Sequence, residues 1–124
     1  MKILALILTT LALSLPLNAA RLNSEAYYQK IAAEKYNGET EVVMGDGTRC
    51  DIVTETHAIE VDFADKWGEA IGQSLNYAFQ SNKKAGILLI LEHPSDEKHL
   101  IRVQSIIEHF NLPMDILAIR AWEK

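Results

Sequence analysis

The sequence predicts one α/β domain, a mixed central sheet flanked by helices, and three features predict it. The unbroken apolar run Ile87-Leu88-Leu89-Ile90-Leu91 has the length of a strand and no polar side, which suits a strand covered on both faces. Two β-branched segments, one around Thr40, Val42 and Val43 and one over residues 48–54, flank Gly45-Asp46-Gly47, which is turn chemistry for a hairpin. Amphipathic helical patterns lie before, between and after these strands. The predicted order is α-β-β-β-α-β followed by α-β.

The chain opens with Met1-Lys2, an apolar run over residues 3–17, Pro16 and the small pair Ala19-Ala20, the layout of a secretory signal peptide. The run falls short of the roughly 20 residues a spanning helix needs. Residues 1–20 are therefore expected to be a signal peptide, residues 21–124 the folded domain, and the protein to be exported, periplasmic or secreted, with no integral span after cleavage.

In the first helix, over residues 24–36, Ala26, Tyr27, Ile31 and Ala32 alternate with charges, Ser24 or Asn23 supplies the N-cap, and Asn37-Gly38 stops it. Strands follow over residues 39–44, 48–54 and 57–63, the last two joined by Glu55-Thr56, and the three make a meander. Asp65 is the expected N-cap of a helix over residues 66–80, which Ser81-Asn82-Lys83-Lys84 ends. A strand over residues 86–91, a helix opened by Pro94-Ser95-Asp96 and ended by Asn111-Leu112-Pro113, and a strand over residues 114–119 complete the domain.

Of 124 residues, 48% are hydrophobic and 23% charged, so a core can be buried and disorder is excluded. Loss of residues 1–20 removes one positive charge, Lys2, and takes the formal charge from −5 to −6. A protein that grips long stretches of nucleic acid usually presents a basic face, so this balance argues against tight nonspecific binding. Cys50 is the only cysteine, which excludes an internal disulfide and predicts a buried thiol. His57, His93, His99 and His109 have no zinc-ligand spacing and read as surface residues. Trp67 and Trp122 read as packing anchors. Glycine-rich phosphate loops, nucleophile elbows, CxxC pairs and HExxH helices are lacking, and their chemistries are set aside.

The informative pattern is acidic. If the second and third strands pair across Glu55-Thr56, opposed residue numbers sum to 111, so Asp51 faces Glu60 and Arg49 faces Asp62, all four on one side. Alternation then sends Cys50, Ile52, Ile59, Val61 and Phe63 into the core. Opposed carboxylates repel unless a cation lies between them, and with the Val61 carbonyl they form a hard-oxygen set suited to Mg²⁺ or Mn²⁺. Such an ion suits phosphodiester hydrolysis. The alternative is that Arg49 neutralises a solvated acidic strand face. In the next helix Lys66, Glu69, Gln73 and Tyr77 are spaced to form one polar stripe, opposite Ala70, Ile71, Leu75 and Ala78.

Asp51, eight intervening residues and then Glu60-Val61-Asp62, followed by a helix, resembles the D-x(n)-E-x-K arrangement of the PD-(D/E)XK, or restriction-endonuclease-like, nucleases. Gln73-Ser74-Leu75-Asn76-Tyr77 is similar to the QxxxY motif of the RecB-type members, and the likeness spans residues 34–91. It implies a Mg²⁺- or Mn²⁺-dependent nuclease with metal on Asp51, Glu60, the Val61 carbonyl and Glu34. It also implies that Gln73 contacts substrate or the lysine, with Tyr77 supporting Gln73. The family has a lysine where this chain has Asp62. Lys66, one turn later, is the expected replacement, ahead of Arg49, and Asp62 would ligate metal or hold Arg49. A nuclease fold that persists as an inactive binding or interaction module in the cell envelope is the alternative. A homodimer or protein partner would complete a site that binds nucleic acid weakly.

Overall fold

A computed structural model describes residues 20–124. The predicted signal peptide lies outside the described residues, apart from Ala20. The described residues form an α/β fold with three helices and a five-stranded mixed sheet. Its elements are α1 (Glu25–Tyr36), β1 (Glu39–Val43), β2 (Arg49–Val53), β3 (His57–Phe63), α2 (Trp67–Ser81), β4 (Lys84–Leu91), α3 (Glu97–Phe110) and β5 (Met114–Arg120). Spatial order follows chain order, with β1, β2 and β3 antiparallel and β3, β4 and β5 parallel. Among the described residues no helix is long and apolar enough to cross a membrane.

The helix ends follow their local chemistry. The Ser24 hydroxyl accepts the Tyr27 N–H at 3.2 Å and so caps α1. Asn37, Asn82 and Asn111 end the three helices in the left-handed conformation that asparagine tolerates. Asp65 does not cap α2. A 3₁₀ turn, Ala64–Lys66, intervenes, and Asp65 instead accepts from the Arg21 guanidinium at 2.8 Å. Pro94–Asp96 forms a second 3₁₀ turn ahead of α3.

β4 lies between β3 and β5, one strand in from the edge, and is buried on both faces, as a strand without polar alternation must be. Its Leu88 and Ile90 join Ile52, Ile59, Val61 and Phe63 beneath Tyr28, Ala32 and Ala33 of α1. Its Ile87, Leu89 and Leu91 join Ala70 of α2 and Leu100 and Val103 of α3. Both crossover helices therefore cover one face, and α1 covers the other. Trp67 packs against the second cluster.

Beyond β4, Glu92 is 4% exposed and accepts from the Leu22 N–H (2.7 Å), the Asn23 N–H (3.3 Å) and the Tyr28 hydroxyl (3.0 Å). These bonds fasten the residues before α1 to the C-terminal end of the parallel strands. Gly38 lets the chain turn close beneath β2, where an added Cβ would run into the Ile52 side chain, with Thr54 Cγ2 and the Val53 carbonyl at 3.3 Å. Gly38→Ala is therefore expected to cost about 1–3 kcal/mol, as overpacking does, read as a lower urea midpoint with an unchanged slope.

Candidate active site

Asp51 and Glu60 meet where the regularity of the sheet fails. The β2–β3 ladder has the predicted register at Ile52↔Ile59 and Val53↔Ala58, and it ends before Asp51. The Asp51 side chain takes over there, its Oδ2 accepting the Val61 N–H at 2.8 Å. A residue's N–H and C=O point to the same edge of a strand, so the Val61 carbonyl lies on the Asp51 side of β3. The Asp51 and Glu60 carboxyls lie near enough for each to perturb the other's hold on its proton.

Alternation along β3 puts Ile59, Val61 and Phe63 under α1 and leaves Ala58, Glu60 and Asp62 for the face that α2 covers. The acids are not a solvated strand face. Glu60 is 6% exposed and Asp62 5%. Arg49 is exposed at the start of β2, paired with Val43 of β1, and among the described residues it forms no ion pair with Asp51 or Asp62. The predicted pairing of Arg49 with Asp62 is absent because the ladder has already opened at Asp51. Cys50 also departs from the alternation. It is buried with Met44, Ala58 and Tyr77, away from the cluster that holds Ile52, because the strand is distorted at this point.

Burial and mutual repulsion set the charge of the pair. Burial comes first in raising Glu60 to about 9, followed by the Asp51 charge, the hydrogen bond to Asp51, and the charges of Asp62 and Glu25. Asp51 is raised too, again chiefly by burial, against the Val61 and Glu60 hydrogen bonds that favour its charged form. Glu60 thus keeps its proton at neutral pH. Asp62 is pushed up to about 6 by burial and by Glu25, with the Phe63 N–H (2.9 Å) and Lys66 pulling it down.

One oxygen of this cluster is left over. Glu60 Oε2 is buried and has no hydrogen-bond partner. A buried orphan oxygen, an adjacent carboxylate and a carbonyl edge are the donors a hard divalent cation takes, so Asp51, Glu60 and Val61 fit Mg²⁺ or Mn²⁺. Among the described residues, no three His, Cys, Asp or Glu side chains are grouped closely enough to hold one ion by themselves. Backbone and water oxygens would have to complete a coordination shell.

The other predicted residues divide. Lys66 sits at the N-cap of α2, exposed, and its charge reaches both Asp62 and Glu25. Gln73 is exposed on α2, whereas Tyr77 is 5% exposed, so the two do not share a solvated stripe. The buried side of α2 runs through Ala70, Ser74 and Tyr77, because Tyr77 fills the space over Met44, Cys50 and Ala58. Burial, then Glu60 and Asp51, raise the Tyr77 phenol to about 12, which keeps it neutral beside the pair.

Glu34 is exposed. The α1 acid whose charge raises Glu60 and Asp62 is Glu25, nine residues earlier, and at about 3.6 residues per turn it lies on the opposite side of the helix. Sequence reading missed Glu25, Gln29 and Glu41. Gln29 was legible as a polar residue one turn after Glu25, but nothing in the pattern marked Glu41.

His57, expected at the surface, is half-buried and bonded to Asp115 Oδ2 at 2.6 Å across Gly86, at the other end of the strands. No protein family, curated protein or solved structure matches this chain.

Proposed function

We propose that this protein is a Mg²⁺- or Mn²⁺-dependent phosphodiesterase acting on nucleic acid outside the cytoplasm, with a core of the PD-(D/E)XK type. The observation that carries the reading is the buried Glu60 carboxyl, with its unpartnered oxygen, beside half-buried Asp51, a costly arrangement that a divalent cation would relieve. An antiparallel meander, a helix and a parallel strand in sequence agree with such a core.

In this scheme Asp51, Glu60 and the Val61 carbonyl hold the cation, and Glu25 takes the outlying place first assigned to Glu34. The bound ion would polarise a phosphate oxygen and acidify a water. Burial of Glu60 keeps competing water away, and it makes the Glu60 charge available only as its proton leaves. Lys66 supplies positive charge at the rim and orients the phosphate, with Gln73 beside it on the exposed side of α2. Asp62 adds negative charge on the same strand face, and Tyr77 holds α2 against β2 and β3.

The test is hydrolysis of linear and circular DNA and of RNA by the purified mature domain under Mg²⁺ or Mn²⁺, beside Asp51→Ala prepared identically. Metal-dependent products from the native chain alone are expected; equal traces in both preparations would mean contamination.

A second reading has its own support. Asp62 in the family's lysine position favours a nuclease fold retained as a binding module in the cell envelope. Mn²⁺ separates the two, because a working site is stabilised by mass action and a module without metal is not.

A further inference from the structure

Asp51 is the one β2 residue that drops out of both neighbouring ladders between or beside intact pairs. On the β1 side, Thr40↔Ile52 and Val42↔Cys50 are paired in one register, while the pair between them, Glu41 opposite Asp51, is missing. On the β3 side the ladder stops at Ile52↔Ile59. Two neighbouring side chains account for the gap.

Glu41 has φ +55°, the left-handed region, which a residue with a side chain enters at a cost and which interrupts β1 there. Gln29 of α1, 7% exposed, donates from Nε2 to Glu41 Oε1 at 2.9 Å and to the Asp51 carbonyl at 2.7 Å. Both partners are acceptors, so only the amide nitrogen fits there. Both its hydrogens are used.

We propose that Gln29 and Glu41 are positioning residues that aim Asp51. The left-handed turn at Glu41 frees the Asp51 peptide from β1, and Gln29 holds its carbonyl toward α1. With the backbone so held, the carboxylate swings to β3, takes the Val61 N–H and lies against Glu60. A regular strand would give the Val61 N–H a backbone carbonyl and leave Asp51 unanchored. The proposal rests on the reading of Asp51 as a site residue, and it stands on the same acids whether or not the chain cleaves nucleic acid.

The experiment follows the Val61 amide by nitrogen-15 NMR and hydrogen exchange in the metal-free domain, in Gln29→Leu and in Glu41→Gly. Glycine suits a positive φ, so Glu41→Gly should melt at or above the native temperature. In both variants Val61 should exchange at least about tenfold faster relative to its β3 neighbours Ile59 and Phe63. Mn²⁺ should then give a smaller thermal shift in each. Glu41→Asn, whose side chain tolerates the left-handed region, should keep the Val61 protection better than Glu41→Val.

Folded variants with native Val61 exchange would overturn the proposal, whatever their activity. Loosened Val61 with no hydrolysis in any preparation would leave Asp51 positioning intact and remove the phosphodiesterase.

Discussion

Glu60→Gln is expected to lower metal-dependent hydrolysis at least about a hundredfold while leaving the fold as stable as before or more so. The side chains are nearly the same shape, so packing is retained, and the neutral amide stands in for the protonated carboxyl that burial, then the charges of Asp51, Asp62 and Glu25, favour by raising Glu60 to about 9. The same substitution should reshape the pH dependence of stability. A carboxyl whose proton is held more tightly when folded stabilises the fold fully below its ordinary value of 4.5, and that stabilisation is lost as pH rises toward 9. Asp62, raised to about 6, acts in the same sense over the lower part of that window.

The melting temperature of the native domain in a chelator should therefore fall between pH 5 and pH 9, and Glu60→Gln should flatten the fall. Mn²⁺ should reverse it, with a stabilisation that grows with pH because a ligating carboxyl must give up its proton. Thermal melts across that range, with and without metal, read all three. A flat native profile would mean that the pair is not protonated as its burial requires.

The second large effect is structural. Leu89→Ala should cost about 2–5 kcal/mol, because Leu89 is fully buried on β4 against residues of α2 and α3 and its loss leaves a cavity the helices cannot close. At about 4–8 °C per kcal/mol for a domain near this size, the melting temperature should fall by roughly 8–40 °C. Ile101→Ala, on the exposed side of α3, should change it by less than about 3 °C. Urea unfolding followed by circular dichroism compares the two, and equal small losses would mean that β4 is not the centre of the core.

The elements that could be read directly were those whose pattern is local. Ser24 caps α1 because a serine hydroxyl needs only the N–H three residues on, and the asparagines end helices because the left-handed conformation is a property of the residue. β4 announced itself by five apolar residues without a break. The register of β2 on β3 was legible because a short link leaves few ways to pair alternating strands.

Asp65 shows where local reasoning stopped. Its side chain has the chemistry of a cap, but Arg21, 44 positions earlier, offers a charged partner at 2.8 Å. Tyr77 looked like part of a polar stripe and is buried, since only the packing of α2 on β2 and β3 decides which side of the helix is covered.

By itself the sequence determined the class of the fold, the lengths and ends of most elements, and the presence of Asp51 and Glu60 on adjoining strands. Hydrophobic period, turn residues and caps act within a few positions of one another, and these features depend on nothing else. Only the tertiary structure decided that Glu60 is buried and Asp51 half-buried, that the charge of Glu25 and not of Glu34 reaches them, and that Gln29 and a left-handed Glu41 pull Asp51 out of line. Those outcomes depend on which side of α1 meets the sheet and on where a ladder breaks, and both are settled by contacts between segments that no local pattern encodes.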